Sequence, residues 1–300
     1  SLYFYSYFLT SYALILINSI LFNFFFGKLL IRAKQNNIRK LLFLTIVVVN
    51  LIILIYFKYF NFLIKNINFV FNKNILDNKS IILPLAISFF TFQQITFITN
   101  IYNKEIKKFN FIKYALFISF FPQLIAGPII KFKEFYPYIS KSLKLSLTQS
   151  YLFIGLFIFS IGMFKKIIVS NYLASIADPI FLSVDNGLLI NSIEAWTGLL
   201  AFSLQIYFDF SGYTDMAIGL AYCLGFRLPI NFNSPYKSKS IKDFWKNWHI
   251  TLSRFLKNHI YITLGGNLKG KLFQYKNIFI TMLIGGIWHG ASWNFVFWGA

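Results

Sequence analysis

The sequence predicts an all-α integral membrane protein in which several helices cross the bilayer. Of its 300 residues, 57% are hydrophobic, 21% are aromatic and only 13% are charged, whereas about 25% of the residues of a soluble domain are charged. Several apolar runs also reach the ~20 residues that a helix needs to span the hydrocarbon core of a membrane. A soluble fold could not cover that much apolar surface, so lipid is the expected solvent.

Seven apolar runs are candidate membrane segments. In chain order they are 6–27, 41–64, 81–101, 112–130, 149–172, 195–223 and 277–300. No internal repeat or soluble domain boundary interrupts them, so we expect a single membrane-embedded domain over 1–300. The chain begins with Ser1 and stops at Ala300 inside an apolar run, and we expect a fragment that lacks both termini of a longer protein.

The positive charge of the chain fits the loops of a membrane protein better than a nucleic-acid site. Twenty-nine Lys and Arg against nine Asp and Glu give a formal net charge of +20. The basic residues stand mostly between apolar runs, as cytoplasmic loops require, and no nucleic-acid-binding motif is present. Cys223 is the only cysteine, which excludes an intrachain disulfide and a zinc cluster built from thiolates.

The distribution of basic residues among the loops predicts which side of the membrane each loop faces. The stretch 28–40 is rich in Lys and Arg and is expected in the cytoplasm, while 173–194 has no Lys or Arg and is expected outside. The stretch 224–276 holds ten basic residues and one acid, so it is expected inside. If every segment crossed the membrane in turn, 173–194 would lie inside and 224–276 outside, the reverse of what their charges predict.

One segment is therefore expected to enter the membrane and return on the same side. The best candidate is 112–130, because Pro122, Gly127 and Pro128 interrupt its helix. Non-helical backbone at membrane depth is tolerated only where protein or a water-filled cavity satisfies its polar groups. A re-entrant segment at this position thus indicates an internal passage.

His289 is the leading candidate for chemistry. At 1.5 Å per residue it lies roughly 18 Å beyond residue 277, about midway through a ~30 Å hydrocarbon core. An ionisable group at that depth marks a reaction centre or a pathway by default, and a neutral imidazole is a suitable general base near pH 7. The alternative is a structural histidine that bonds a neighbouring helix, with Gly286 and Gly290 forming a small-residue packing face.

A second histidine, His249, belongs to a stretch without Gly or Pro, 241–259. Helical periodicity places Trp245 and Trp248 on an apolar face opposite several Lys and Arg residues, which predicts one amphipathic helix at the cytoplasmic interface. His249 falls at the edge of that face, a position suited to the mouth of a cavity where an anionic donor arrives. The alternative is an ordinary interfacial helix whose lysines contact lipid headgroups. His259 follows the apolar face and is expected to be structural.

Two carboxylates, Asp209 and Asp215, stand inside the apolar segment 195–223. Six residues apart, they do not share a helical face, so a paired acid/base device is not expected. They are better suited to interhelical hydrogen bonding or to the orientation of a histidine. The spacing of His and Asp residues does not favour a metal site either, and turn-rich residues at 231–236 and 264–267 are expected to hold the amphipathic helix in place.

Two stretches, 243–253 and 287–293, closely resemble the membrane-bound O-acyltransferase family, in particular its bacterial alginate O-acetyltransferase branch. Three further stretches match in the same order, 83–93, 121–128 and 209–219, so that the resemblance covers roughly 80–300. The sequence departs from the family where Asn100 replaces a frequent acidic residue and Thr251 replaces a common Ser.

The resemblance implies a multi-pass helical fold with re-entrant and amphipathic helices around a central tunnel. It also implies that His289 is the catalytic base, that His249 is a second functional position, and that no metal or other cofactor is bound. The residues expected to contact substrate or line the tunnel are Trp245, Trp248, Ser253, Asp209 and Asn294.

The resemblance further implies an activity in the inner, cytoplasmic membrane. Such proteins take an acyl group from a cytoplasmic thioester such as acetyl-CoA and export it for O-acylation of a cell-envelope polysaccharide such as alginate. They often act with an extracytoplasmic polysaccharide acyltransferase as partner. The lipid bilayer and the acyl donor are the other expected partners, and nucleic acid is not one.

Several alternatives stay open at this point. The D-alanine exporter of teichoic acid synthesis shares the fold and the histidine, although the residues 288–293 favour the acetyltransferase branch. Peptidoglycan is another candidate acceptor. A transporter or channel would also carry re-entrant helices and intramembrane ionisable residues, but it predicts inverted repeats, which the sequence does not show. A third reading is a catalytically inactive scaffold.

Overall fold

The computed structural model describes residues 1–7, 10–124, 127–142 and 149–300, with side chains assigned except at 140–142. All the regular structure in these residues is helical, which confirms the all-α prediction. The helices before residue 125 are α1 (Leu2–Ser6), α2 (Thr10–Arg32), α3 (Asn36–Phe71), α4 (Ile87–Tyr102), α5 (Phe111–Ser119) and α6 (Phe121–Leu124). They are followed by α7 (Phe132–Ser142), α8 (Gln149–Met163), a π-helical segment (Phe164–Ser170), α9 (Asn171–Asp185) and α10 (Ser192–Cys223). The remainder holds a 3₁₀ turn (Pro235–Lys237), α11 (Ile241–Asn247), α12 (Ile250–Leu256), a second π-helical segment (Lys257–Tyr261), α13 (Lys271–His289) and α14 (Trp293–Gly299).

Three helices in the described residues are long and apolar enough to cross a membrane. They are Thr10–Arg32, Asn36–Phe71 and the continuous rod Gln149–Asp185, formed by α8, the first π-helical segment and α9. The predicted membrane segments 6–27, 41–64 and 149–172 fall on these three helices. Multiple passes through the bilayer follow from these helices together.

The prediction of a loop over 173–194 is wrong for most of that stretch. Helix α9 continues to Asp185, and only 186–191 separates it from α10. Pro179 lies inside α9, and the next residue, Ile180, packs against Gly198 of α10. A capping box then starts α10: Asn191 accepts a hydrogen bond from the backbone N–H of Glu194, and the Glu194 carboxylate accepts one from Asn191.

The helix break predicted within 112–130 is present. Helix α5 ends at Ser119, Phe120 has an extended backbone, α6 ends at Leu124, and residues 127–130 are not helical. Re-entry of this stretch into the membrane stays a prediction. The segment predicted at 81–101 becomes helical only from Ile87, and the one predicted at 195–223 lies within α10.

The described residues form two compact units. The first contains those within Ser1–Ile125, Lys131–Glu134 and Leu252–Ala300, and the second contains those within Ala126–Ile130 and Phe135–Thr251. The first unit therefore holds α1–α6, α13 and α14, and the second holds α8–α11. Each unit has its own packing.

Aromatic rings and a few buried polar links hold the first unit together. Phe97 stacks on Tyr114 with ring centroids 4.4 Å apart and meets Phe109 edge-on at 4.9 Å. Between α2 and α3, the buried amides of Asn23 and Asn50 donate to each other's oxygens at 3.0 and 2.9 Å. Polar pairs of this kind join helices where lipid offers no competing hydrogen bonds.

Two cations of the first unit bind carbonyls at the ends of other segments. Arg39 donates to the carbonyl of Tyr102 at 2.7 Å, and Lys28 donates to that of Phe109 at 2.8 Å. The turn at 33–35 and the basic loop at 103–110 thus lie at the same end of this unit. This agrees with their predicted location on one side of the membrane.

Glycines bring α8 and α10 of the second unit into backbone contact. Gly155 lies opposite Gly219, and Gly162 lies opposite Gly212. A Cβ atom on Gly219 would stand 2.5 Å from the Gly155 carbonyl oxygen and 2.6 Å from the Phe159 nitrogen, closer than real Cβ atoms approach. The two glycines on each helix are seven residues apart, about two turns, so both contacts fall on one face.

Candidate functional site

His289 is the last residue of α13, so the prediction of one continuous segment over 277–300 is wrong. Gly290 has an extended backbone (φ −164°, ψ 158°), and α14 begins only at Trp293. The two helices pack through glycines, because Gly286 lies against Gly299 and the carbonyl of Phe295. Gly286 therefore belongs to a small-residue contact as expected, whereas Gly290 lies beyond the helix.

Two side chains of α3 bind the carbonyls at the end of α13. Tyr59 donates its hydroxyl hydrogen to the carbonyl of Ile287 at 2.7 Å, and the Lys58 ammonium donates to the carbonyl of Trp288. The last carbonyls of a helix have no partner within it, and a cation there also complements the helix dipole. The carbonyl groups of both residues before His289 are therefore hydrogen-bonded to side chains of α3.

The aromatic side chains around this helix end bury Trp288 and leave His289 accessible. Trp288 is 8% exposed and stacks on Phe92 at 5.4 Å. The imidazole of His289 meets the ring of Trp298 edge-on at 5.1 Å and that of Phe295 at 6.2 Å, and the residue is exposed. Trp288 thus anchors the helix end while the imidazole keeps a surface that a reactant can reach. Its depth in the bilayer stays a prediction.

His249 lies at a break between two short helices, so the prediction of one amphipathic helix over 241–259 is wrong. Trp248 is extended after α11, and His249 itself has φ +42°, in the left-handed region. Its expected place at an open cavity mouth is also wrong, because the residue is only 2% exposed. A left-handed residue other than glycine costs on the order of 1–3 kcal/mol and clusters at functional sites.

The side-chain oxygen of Asn231 holds this break together. It accepts hydrogen bonds from the Thr251 backbone N–H at 3.1 Å, from the Thr251 hydroxyl at 2.9 Å and from His249 Nδ1 at 3.1 Å. A backbone N–H can only donate, so the shared atom is the amide oxygen and Nδ1 of His249 carries a hydrogen. In the neutral ring, the basic lone pair therefore belongs to Nε2.

Aromatic rings enclose His249 and the tryptophans beside it. Phe210 of α10 meets the imidazole edge-on at 4.8 Å. Trp248 is half-buried and stacks on Phe244 at 5.5 Å, and Trp245 is half-buried on α11. Trp245 and Trp248 both contact Phe244, and Trp248 lies just beyond the end of α11, which carries Trp245.

Ser240 caps the start of α11, and Asp243 lies in the first turn of that helix. The Ser240 side chain accepts from the Asp243 backbone N–H and donates to its carboxylate, and Lys246 pairs with that carboxylate at 3.0 Å. The hydrogen bond from Ser240, and then Lys246, hold the pKa of Asp243 below its usual value. Asp243 is therefore ionised at neutral pH and supports the Ser240 cap.

Asp209 and Asp215 pair with lysines, and no contact between these carboxylates and a histidine is seen in the described residues. Lys165 binds Asp215 at 2.6 Å, and the next lysine, Lys166, binds Asp209. All four charges lie between the first π-helical segment and α10. The interhelical bonding expected of Asp209 is present, and its orientation of a histidine is not.

The remaining predicted residues divide between the two units. Asp209, Trp245, Trp248 and His249 belong to the second unit, and Ser253, His289 and Asn294 belong to the first. Ser253 is half-buried in α12, and Asn294 is exposed in the first turn of α14. Among the described residues, no group of three or more His, Cys, Asp or Glu side chains is arranged to hold a metal ion.

His259 lies in the second π-helical segment, packed on Phe255 with ring centroids 4.6 Å apart and 3.5 Å from the Thr96 hydroxyl. Burial, and then the charge of Lys131, lower the pKa of His259 below its usual value. A neutral ring packed among side chains supports the structural role expected of it.

Sequence reasoning missed three residues of these centres: Lys58, Tyr59 and Asn231. Lys58 had a usable signal, since it is an ionisable residue inside an apolar run. Asn231 was noted only as part of a turn. Its role depends on contacts with residues 18 and 20 positions away, which no local pattern reveals.

The fold and the site define a helical membrane protein in which two candidate histidines lie at a helix break or a helix end. Comparison with known proteins identifies its family. The profile of the membrane-bound O-acyltransferase family (MBOAT) matches residues 2–300. The chain therefore belongs to the membrane-bound O-acyltransferase family.

The most similar relatives include enzymes that modify different glycans. A Helicobacter pylori protein named peptidoglycan O-acetyltransferase is 41% identical, over 100% of this chain and 61% of its own length. An Azotobacter vinelandii protein named probable alginate O-acetylase AlgI is 42% identical, over 85% of this chain and 50% of its own length. A Bacillus subtilis protein named teichoic acid D-alanyltransferase is 27% identical, over 72% of this chain and 56% of its own length. The chain thus spans between half and about three-fifths of the length of these three relatives.

Proposed function

We propose that the protein is an O-acyltransferase that moves an acyl group, most simply acetyl, from a cytoplasmic thioester to a hydroxyl group, with His289 as the general base. The observation that carries the proposal is the accessible imidazole of His289 at a helix end pinned by Tyr59 and Lys58. Membership of the family supports the reaction class. The names of the relatives support acetyl as the transferred group.

The proposed chemistry needs one base and no redox partner. His289 takes the proton of the acceptor hydroxyl as the hydroxyl oxygen attacks the thioester carbonyl carbon, and the carbonyl π electrons move onto the carbonyl oxygen. When the carbonyl re-forms, the carbon–sulfur bond breaks and the thiolate takes the proton from the imidazolium. The products are an ester and a free thiol.

His249 is proposed as the second functional histidine. Its Nδ1–H is committed to Asn231, so its Nε2 is the atom that accepts a hydrogen bond from a substrate. The left-handed backbone at this position supports a functional constraint, because such strain persists only where the surroundings impose it. We infer that His249 positions a substrate and that His289 carries the proton transfer, with Trp245, Trp248, Ser253, Asp209 and Asn294 as proposed substrate or tunnel residues.

The proposed acceptor is a cell-envelope glycan. Two relatives of almost equal identity are named for peptidoglycan and alginate, so O-acetylation of an envelope polysaccharide is proposed without a choice between them. The D-alanyl relative is less similar, at 27%, which favours acetyl over D-alanyl. An acyl thioester such as acetyl-CoA as donor, an extracytoplasmic acyltransferase as partner and location in the cytoplasmic membrane complete the proposal.

The test is acyl transfer from radiolabelled acetyl-CoA in membranes that contain the full-length protein. His289→Ala is expected to abolish label transfer, and His249→Ala is expected to reduce it less, both at expression matched to the unchanged protein. An active His289→Ala variant would assign His289 to a structural role and refute the mechanism. A transporter or a scaffold predicts no His289-dependent formation of acyl ester.

A further inference from the structure

Lys58 differs from Lys165 and Lys166, two other lysines that lie within a long apolar helix. Lys165 and Lys166 each bind an aspartate. Lys58 is half-buried on α3, and in the part of the chain that the structure describes no carboxylate lies within ion-pair distance of it. An unneutralised cation inside an apolar helix is expensive and marks a functional position by default.

The ammonium group of Lys58 lies at the peptide group that joins Trp288 to His289. It donates one hydrogen to the Trp288 carbonyl and a second to the Ser88 hydroxyl at 3.3 Å. An ammonium has three hydrogens to donate. Among the described residues, no side chain or carbonyl accepts the third, so Lys58 offers a charged donor one residue from the imidazole of His289.

We propose that Lys58 is a third catalytic residue and that its ammonium group stabilises the acyl carbonyl oxygen as negative charge develops on it. The inference rests on the proposed acyl transfer, in which His289 removes the proton while the carbonyl π electrons move onto oxygen. Lys58 gains and loses no proton in this step. A fixed charge in a site with little water lowers the energy of such an oxyanion strongly.

The geometry favours this role over simple capping of α13. Tyr59, next to Lys58, already binds the Ile287 carbonyl of the same helix end at 2.7 Å, and a neutral donor could also bond the Trp288 carbonyl. The charge of Lys58 complements the helix dipole, and it is also available to an anion that develops beside His289. The ring of Trp288, 5.7 Å from the ammonium nitrogen, helps to hold that charge in an apolar setting.

The test compares three substitutions on α3 in membranes with the full-length protein and acetyl-CoA as the probe. Lys58→Met removes the charge, Tyr59→Phe removes a cap of the same helix end without a change of charge, and Lys65→Met is the matched control. Lys65 is an exposed lysine of the same helix, two turns further along. We measure kcat, KM for acetyl-CoA and the amount of folded protein.

Lys58→Met is expected to lower kcat by about 10²–10³-fold, as loss of one oxyanion donor does, with KM changed little. Lys58→Arg should recover part of kcat, Tyr59→Phe should lose much less, and Lys65→Met should match the unchanged protein. Equal losses in Lys58→Met and Tyr59→Phe would reduce Lys58 to a cap, and a rise in KM alone would make it a donor-binding cation. Either result, or an unaffected kcat, overturns the inference.

His289→Ala is assayed in the same membranes, so that the two proposals can fail separately. If His289→Ala is inactive while Lys58→Met keeps its kcat, the proposed function stands and only the role of Lys58 fails. If His289→Ala is fully active, the proposed function itself has failed and takes the role of Lys58 with it.

Discussion

His249 and His289 share a structural device at the level of single residues. Each lies where an α-helix is interrupted or ends, and a polar side chain from a distant segment binds the backbone at that point. For His249 the segment is the turn with Asn231, and for His289 it is α3 with Lys58 and Tyr59. A helix end exposes unpaired backbone groups, so these side chains satisfy the backbone and orient the ring in one arrangement.

Asn231→Ala is expected to lower acyl transfer at least tenfold. The substitution leaves His249 Nδ1, the Thr251 N–H and the Thr251 hydroxyl without their acceptor, and each buried group left unpaired costs about 1–3 kcal/mol. The measurement is the initial rate of label transfer from acetyl-CoA at matched expression. The control is Asn233→Ala, since Asn233 is exposed and its backbone N–H makes the bond to Asn247.

Asn231→Asp separates positioning of the ring from support of the backbone. It keeps an acceptor oxygen but puts a carboxylate at Nδ1, which favours the imidazolium and raises the pKa of His249. Because the role proposed for His249 requires a neutral ring, the acid limb of the pH–rate profile should move to higher pH. A lower rate with an unmoved acid limb would mean that Asn231 only supports the backbone.

At the level of helices, the contact of α8 with α10 depends on glycine. Gly155 and Gly162 face Gly219 and Gly212, and the two ion pairs of the first π-helical segment lie at the end of the same contact. Close backbone approach gives dispersion contacts where lipid provides no hydrophobic drive. It also holds in place Phe210, whose ring packs edge-on against the imidazole of His249.

Gly219→Ala and Gly198→Ala place the same methyl group at two positions of α10. At Gly219 the methyl would meet the backbone of Gly155 and Phe159 at 2.5–2.6 Å, whereas at Gly198 it would meet the side chain of Ile180 at 2.9 Å. A side chain can rotate away and a backbone cannot, so only Gly219→Ala should destabilise strongly, by about 1–3 kcal/mol. Thermal unfolding in detergent measures both, and equal melting temperatures would contradict the close backbone contact.

Helix existence could be predicted from the sequence, but helix ends at the candidate site could not. Apolar length was enough to locate α2, α3 and α10. Periodicity over 241–259 gave no sign of the break at Trp248 and His249, because Asn231 imposes it from outside the segment. Similarly, the apolar run 277–300 hides the end of α13, which depends on Gly290 and on packing between Gly286 and Gly299.

At the level of the whole molecule, the structure revises the loops on which the predicted topology depends. The outer loop shortens from 173–194 to 186–191, and Leu189 within it is fully exposed. The basic stretch before α13 stays outside any long apolar helix, and Leu268 there is 88% exposed. These changes leave the predicted sides intact, because the shortened loop has no Lys or Arg and the stretch before α13 is basic.

Cysteine labelling tests this topology across the chain. Cys223 is replaced by Ser, and single cysteines are placed at Leu189, Leu268 and Lys34, the last in the turn before α3. In sealed right-side-out vesicles, a membrane-impermeant maleimide should label Leu189→Cys at once, and the other two only after permeabilisation. The charge difference between the loops provides the physical reason, since basic loops are retained in the cytoplasm.

Labelling of Leu189→Cys and Leu268→Cys from the same side would show that α10 does not carry the chain across the membrane. The proposed entry of the thioester donor from the basic side would then lose its basis.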